Sequence, residues 1–303
     1  MQKKLIVRIA EGLGNQLFMY AHSYALSKKI NYKLLIDDKS AYLKKKDIRY
    51  YLLDNLNISA EKLDTKDLFN TELLNFKRKI LKNVDYFFKK KSFLIEKTDN
   101  FKKTFFYDYD VKNFATKLHV EGYFESENYF KEFRNDLKKE FSIKNSDKFQ
   151  NNRYYQNITN NNKVVSICIR QHRHSERVGN RDNILSIDKS NKFTHETIQY
   201  IHRAILICEK KINKPIFYIW SNDFSNLKEY FNDKKFIFVD NDKDKTMTDY
   251  YLLNQCRNFI VGPTSFHWWP AWLNYKSENL IICPKNLRAS NNIDFWPKEW
   301  ASI

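Results

Sequence analysis

Four short stretches carry side chains whose types and spacing suit the binding and transfer of a phosphorylated group. The first is Glu11-Gly12-Leu13-Gly14-Asn15-Gln16-Leu17-Phe18, which follows the apolar run from Leu5 to Ala10. An apolar strand, two glycines one residue apart and then an apolar helical pattern is how an α/β protein brings bare backbone N–H groups to a phosphate or a sugar. Glycine is scarce, five in 303 residues, and two of the five lie in this turn. Asn15 and Gln16 at the helix start can bond ligand hydroxyls or cap the helix. A dinucleotide fingerprint is excluded, because GxGxxG from Gly12 requires a glycine where Leu17 stands.

The second stretch is Ile169-Arg170-Gln171-His172-Arg173-His174, directly after the apolar run 164–169. Ligands of open α/β sheets lie beyond the carboxyl ends of strands, so Arg170 emerges where a nucleotide would bind. A guanidinium there can grip a pyrophosphate bidentately and stabilise the charge that develops as a sugar departs; a surface arginine paired with a carboxylate is the alternative. His172 and His174 would suit a metal only with a third ligand, and none is evident. The third stretch, Ser221-Asn222-Asp223, ends another apolar run, and Asp223 could accept from a guanine edge or cap a helix. The fourth runs from Gly262 to Trp272. Hydroxyls and amides of Thr264, Ser265 and Phe266 at a helix start form a phosphate cradle. Trp268 and Trp269 read as core or as a sugar platform, and His267 as structural or catalytic.

These stretches need strands and helices to hold them. Apolar positions at Leu17, Tyr20, Ala21, Tyr24 and Ala25 predict a helix over 16–29, followed by a strand over 33–36 that closes with Asp37-Asp38. Strand, helix and strand make a βαβ unit and a parallel sheet. Residues from about 40 to 105 read as a helical insertion of low information. In the stretch 119–130 a short strand should lead through a glycine turn into a helix ending near Phe141, with Ser126 as its cap. Residues 144–162 are polar and asparagine-rich, which marks a linker. The domains are therefore drawn as 1–160 and 161–303. In the second, strands at 164–169, 216–220, 236–239, 258–261 and 280–283 alternate with helices around 194–211, 226–231, 248–256 and 265–274. The fold class is α/β, two doubly wound parallel sheets.

Composition narrows the function. No apolar run reaches the roughly 18 to 20 residues that span a bilayer, and the N-terminus enters a strand at once, which predicts a cytoplasmic chain. Cys168, Cys208, Cys256 and Cys283 form no CxxC pair, so buried thiols are expected rather than a zinc site or disulfides. The net charge of +17 comes mostly from lysine, 41 against 12 arginines, spread along the chain. Without a helix-turn-helix, zinc finger or ribonucleoprotein motif it argues against nucleic acid, leaving a polyanion-binding basic protein as the rival class. A basic surface still favours a phosphorylated substrate or the acidic headgroups of a membrane's inner face, so a peripheral position at the cytoplasmic membrane is kept open.

Together the four stretches resemble the α-1,2-fucosyltransferase family, glycosyltransferase family 11, over nearly the whole chain. Gly12 to Phe18 looks like its opening GLGNQLF, Gly122 to Phe130 like its GYFQSEKYF, and Thr248-Asp249 with Ser265 to Trp269 like its helix and SSFSWW segments. The resemblance implies a GT-B architecture of two facing Rossmann-like domains. The acceptor side would be N-terminal, GDP-fucose would bind mainly to the C-terminal domain, and transfer would be inverting and need no metal. The expected acceptor is O2 of a galactose in a surface-glycan precursor, with a lipid-linked carrier compatible. With the local readings, donor binding falls to Gly14, Asn15, Gln16, Arg170, Ser221, Asp223, Asp249, Thr264, Ser265 and Phe266, and acceptor contacts to Glu11, Gly12, His267 and Trp268. Arg170 would stabilise the leaving pyrophosphate and Glu11 is the first candidate base. The family pattern H-x-R-R-x-D stands here as Cys168-Ile169-Arg170-Gln171-His172-Arg173, keeping only its first arginine. The departure leaves open another GDP-activated deoxysugar, or a non-catalytic GDP-binding homologue.

Overall fold

A computed structural model describes residues 2–43, 49–96, 109–241 and 245–303. The chain divides into two compact units, one of Met1–Lys144 with Ser290–Phe295 and the other of Asn145–Ala289 with Trp296–Ile303.

The first unit contains β1 (Lys4–Arg8), α1 (Leu13–Ile30), β2 (Lys33–Asp37), β3 (Glu61–Lys62), α2 (Glu72–Val84), β4 (Lys91–Ile95), β5 (Phe114–Glu121) and α3 (Arg134–Glu140). Its sheet has the order β3-β2-β1-β5-β4, every pairing parallel. Leu5, Ile6 and Val7 of β1 are buried, as the central strand of a parallel sheet covered on both faces requires. The region expected as a helical insertion corrects that expectation, because β3 and β4 extend the sheet on both edges. Length and charge hid them: β3 is two exposed residues, Glu61 and Lys62, and β4 opens on Lys91 in a lysine-rich segment, as edge strands often carry charge. Ser126 does cap, its Oγ accepting from the Asn128 N–H at 3.3 Å. What it caps is a 3₁₀ turn, and one further 3₁₀ turn precedes α3, so no single helix runs to Phe141.

The second unit contains α4 (Tyr155–Asn160), β6 (Val164–Ile169), α5 (Ile184–Lys211), β7 (Ile216–Ser221), α6 (Leu227–Tyr230), β8 (Phe236–Phe238), α7 (Lys245–Leu253), β9 (Asn258–Ile260), α8 (Ser265–Leu273), β10 (Ile281–Cys283) and β11 (Ala301–Ser302). The sheet order is β11-β10-β9-β6-β7-β8, again all parallel. All six residues of β6 are buried. Ile167 and Ile169 pack with Ile201, Ala204 and Ile205 of α5 and with Phe217 and Ile219 of β7. The stretch expected as a linker folds instead. Phe149 stacks on Tyr251 with ring centroids 5.1 Å apart, and Tyr154 Oη donates to the Phe238 carbonyl at 3.1 Å. These aromatic anchors place 145–160 with the second unit, whereas the sequence reading draws its cut near residue 160. All four cysteines are buried free thiols.

Candidate active site

In the second unit, β9, β6 and β7 are neighbours, with Ile169 opposite Ser221 and Ile167 opposite Ile260. The loops that leave their carboxyl ends therefore start side by side, and backbone and side-chain bonds stitch them. The Gln171 N–H donates to Asn222 Oδ1 at 2.9 Å, and Gln171 Nε2 donates to the carbonyls of Asp223 at 2.7 Å and Ser225 at 3.0 Å. Arg173 Nη1 donates to the Pro263 carbonyl at 3.0 Å, and its other terminal nitrogen bonds the Ala289 carbonyl. Gln171 and Arg173 stand where the family pattern has an arginine and an aspartate, and here they brace the site rather than fill it.

Arg170 leaves β6 half-buried and pairs with the Glu176 carboxylate. Its charge, after burial itself, holds the nearby His267 imidazole down at about 3, so His267 is neutral at ordinary pH. His267 is buried, and its Nδ1 has no hydrogen-bond partner among the described residues. The sequence reading expects His267 on the acceptor side; the charged group that acts on it here is Arg170, which the same reading gives to the donor. A Cβ on Gly262 would lie 1.9 Å from the Cys168 carbonyl oxygen, so the loop from β9 can pass under β6 only with glycine there. Thr264 then caps α8, its Oγ1 accepting from the His267 N–H at 3.2 Å. The first-turn amides of Ser265 and Phe266 have no intrahelical acceptor and point outward with the positive end of the helix dipole. Trp268 corrects its acceptor assignment. It is fully buried, 4.9 Å from Trp269 and stacked on Trp272 at 5.5 Å between centroids, and it holds α8 in place as core.

Asp223 Oδ1 accepts from the N–H and Oγ of Ser225 at 2.9 and 2.7 Å, and its Oδ2 meets His172 Nε2 at 2.8 Å. The Ser225 backbone bond leads in holding this carboxyl below its usual range. Ser221 Oγ bonds the backbone of the same turn. His172 is thus an exposed loop imidazole paired with a carboxylate, its backbone in the left-handed region at φ 57°. Asp249 on α7 is buried, and Asn241 Nδ2 donates to its Oδ1 at 2.7 Å; Asn152 in turn donates to Asn241 at 2.9 Å. Burial pushes the Asp249 carboxyl up to about 6, against the smaller pull of Asn241 and Lys245.

In the first unit, the turn between β1 and α1 takes its unusual conformation at Glu11, φ 64°, while Gly12 is extended at φ −82°. The two glycines are thus not there for a left-handed backbone. A Cβ on Gly12 would meet Arg49 Nη1 at 3.0 Å, and Gly14 is buried inside α1. Gln16 is corrected from a donor ligand to a structural clamp. It is fully buried, with Nε2 donating to the carbonyls of Glu11 at 2.8 Å and Tyr50 at 2.7 Å and to Tyr42 Oη at 3.0 Å, and Oε1 accepting from the Leu52 N–H at 2.9 Å. Asn15 Oδ1, by contrast, is buried without a hydrogen-bond partner among the described residues.

The clamp fastens Tyr42 and Tyr50 beside the end of β2, where Asp38, Lys39, Tyr42, Leu43, Tyr50 and Tyr51 line an open hollow of about 360 Å³. Burial first, then the charges of Glu11 and Asp54 respectively, pushes the Tyr42 and Tyr51 phenols up, so both remain protonated donors. Sequence reasoning missed this group because three tyrosines in a lysine-rich segment carry no spacing signal. The cue available was their place after Asp37-Asp38 at a strand's carboxyl end. Among the described residues no cluster of three His, Cys, Asp or Glu side chains is arranged to hold a metal.

The sequence model of the family described as "Glycosyl transferase family 11" matches residues 4–303. The chain is similar to an alpha-1,2-colitosyltransferase of Escherichia coli, 26% identical over 99% of this chain and 98% of that protein. It is also similar to the O-antigen biosynthesis glycosyltransferase WbnK of Escherichia coli, 25% identical over 94% and 95%. Among solved structures, fucosyltransferase NodZ from Bradyrhizobium superposes with a TM-score of 0.53 at 12% identity, over 89% of this chain and 92% of that one. An Arabidopsis thaliana FUT1 variant in complex with GDP gives 0.51 at 15%, over 90% and 69%. The architecture is thus GT-B, shared with these fucosyltransferases. With loops converging on Arg170 in one α/β unit and the Glu11 turn in the other, and a family match spanning almost every residue, this chain belongs to glycosyl transferase family 11.

Proposed function

We propose that the protein is an inverting, metal-independent transferase that moves L-fucose from GDP-fucose to a hydroxyl, O2 of a galactose, on a surface-glycan precursor. The observation that carries this reading is the half-buried Arg170 at the end of β6, electrostatically coupled to His267 on the first turn of α8. A guanidinium and a helix N-terminus are the two groups that stabilise a departing diphosphate without a metal. In the reaction the acceptor oxygen bonds to the anomeric carbon as the bond to the diphosphate oxygen breaks. The acceptor proton passes to a base, and the new negative charge settles on GDP against Arg170 and the amides of Ser265 and Phe266. His267, held neutral, can hydrogen-bond without adding charge, and Asp223 and Asp249 supply carboxylates for the guanine and ribose. Glu11 is the proposed base, and the hollow of Tyr50, Tyr51 and Asp38 is the proposed acceptor side, an aromatic face for the sugar's C–H groups beside a carboxylate for its hydroxyls.

A second reading keeps this chemistry with another GDP-activated deoxysugar, colitose first. It is favoured by the loop in which Gln171 and Arg173 replace the family's arginine and aspartate, and by the relative named a colitosyltransferase. The test is a screen of GDP-fucose and other GDP-sugars against galactoside acceptors, with EDTA present, read by product mass and linkage. Transfer from one GDP-sugar with the acceptor O2 substituted is expected. Arg170→Ala should lower kcat by about 10²- to 10³-fold, the loss typical of one charge-stabilising donor. GDP binding without any transfer would leave a non-catalytic homologue, and near-normal turnover of Arg170→Ala would overturn the mechanism.

A further inference from the structure

Helix α2 wears its apolar side chains on the outside. Leu73, Phe76 and Ile80, spaced i, i+3 and i+7, are exposed at 76%, 60% and 46%, and the turn that follows exposes Tyr86, Phe87 and Phe88. The side turned to the protein centres on polar groups, with Leu74 and Val84 only half-buried. Arg78 is buried and bonds the Glu121 carboxylate at the end of β5, and Lys82 Nζ donates to the other Glu121 oxygen at 2.7 Å. An ordinary surface helix does the reverse and buries its apolar stripe. The ion triad also fixes the rotation of α2. Turning Leu73, Phe76 and Ile80 inward would carry Arg78 and Lys82 outward and leave Glu121 buried with its charge uncompensated. Six large apolar side chains are thus exposed within sixteen residues, on one helix and its following turn, a concentration expected of a binding surface rather than of scattered exposure.

Charge decides what covers the patch. Residues 72–91 hold seven lysines and arginines against Glu72 and Asp85. Lys77 and Lys79 are exposed on α2, and Lys89 and Lys90 are exposed beside the aromatic turn. A second copy of the chain would press one cationic collar against another. A lipid surface bearing phosphates complements both components, taking apolar side chains into the headgroup boundary while lysines reach the phosphates. At 13 residues α2 is too short to span a bilayer, and no described helix is long and apolar enough to do so, so the contact is one of lying on the surface. We propose that α2 and the 86–88 turn dock the protein on an anionic lipid surface. This stands independently of the sugar assignments, and its readout needs no turnover.

The test is sedimentation of the full chain with vesicles of phosphatidylglycerol and phosphatidylcholine, against vesicles of phosphatidylcholine alone. Binding to the anionic vesicles that weakens with salt is expected. Phe76→Ser with Ile80→Ser and Phe87→Ser should reduce it tenfold or more. Lys77→Ser with Lys89→Ser should reduce it by about fivefold per lysine. Both variants alter exposed positions, so unchanged GDP-sugar turnover on a soluble acceptor, or an unchanged circular-dichroism melt, shows that they fold. Equal partition onto neutral and anionic vesicles, or anionic binding indifferent to both variants, overturns the proposal. So does a dimer seen by light scattering that the apolar variant dissolves while vesicle binding is absent, which would assign the face to a second copy.

Discussion

Asp249 and Glu176 show how single carboxylates set the balance between stability and binding. The Asp249 carboxyl stands at about 6 against an ordinary 3.8, with burial as the main cause. Between those values the folded chain holds a proton that the unfolded chain has released, so stability falls as pH rises through the window, and the cost is fully present above about pH 6. Asp249→Asn should therefore raise stability at pH 7 to 8 by about 2 kcal/mol, read from urea midpoints, and change little at pH 4. If Asp249 binds the donor, the same variant loses GDP affinity, a trade expected where a charged side chain is kept buried for function. Glu176 meets the guanidinium that should hold the diphosphate, and both partners are partly exposed. Glu176→Gln removes an anion that competes with the donor and should tighten GDP binding by about two- to fivefold, checked by calorimetry, in line with the modest worth of part-exposed ion pairs. Arg170→Ala, by contrast, should leave stability almost unchanged while lowering turnover by the roughly 10²- to 10³-fold expected above.

At the scale of elements, the candidate donor site depends on how β9 hands the chain to α8. Gly262 lies against the Cys168 carbonyl of β6, so Gly262→Ala cannot be absorbed by a side-chain shift. The loop from Val261 to Thr264 must move, and with it the first turn of α8. Loss of stability by about 2 kcal/mol or more and a raised KM for the donor, against a smaller change for the acceptor, are expected from denaturation curves and kinetics. The tryptophans behind this turn serve the same end. Trp268, Trp269 and Trp272 are fully buried, and the rigid packing they give α8 is what lets its first-turn amides hold a fixed direction. In the first unit the equivalent element is the Gln16 clamp, which ties the residue before Gly12 to the chain at Tyr50 and Leu52.

For the molecule as a whole, acid is the condition that should reveal its buried chemistry. His267 is held at about 3 by burial first and by Arg170 second, and burial lowers His22 and His119 as well. Below about pH 6.5 the unfolded chain takes up protons at these histidines that the folded chain refuses, so stability falls as pH drops. His267 and His119 each contribute about 2 kcal/mol of loss between pH 7 and 5, His22 acts in the same direction, and Asp249 returns about 1 kcal/mol in the same interval. Urea midpoints should therefore decline from pH 7 to 5, and His267→Gln should flatten that decline. Two units unfolding separately would show as two transitions, each with its own pH slope.

Local chemistry along the chain determined the α/β class, the order of strands and helices from 164 onward, the βαβ start and the cluster of loops around Arg170. Those features rest on period, caps and strand-end position, which a short window of sequence contains in full. The three-dimensional structure alone decided that Gln16 is a clamp, that Trp268 is core, that β3 and β4 belong to the sheet and that α2 faces its apolar side outward. Most of those outcomes depend on a partner beyond any short window, 34 residues from Gln16 to Tyr50, 43 from Arg78 to Glu121, and 23 to 26 from β3 and β4 to the strands they pair with. A side chain's role in such cases is set by which group the fold brings to it, and no spacing within the chain specifies that.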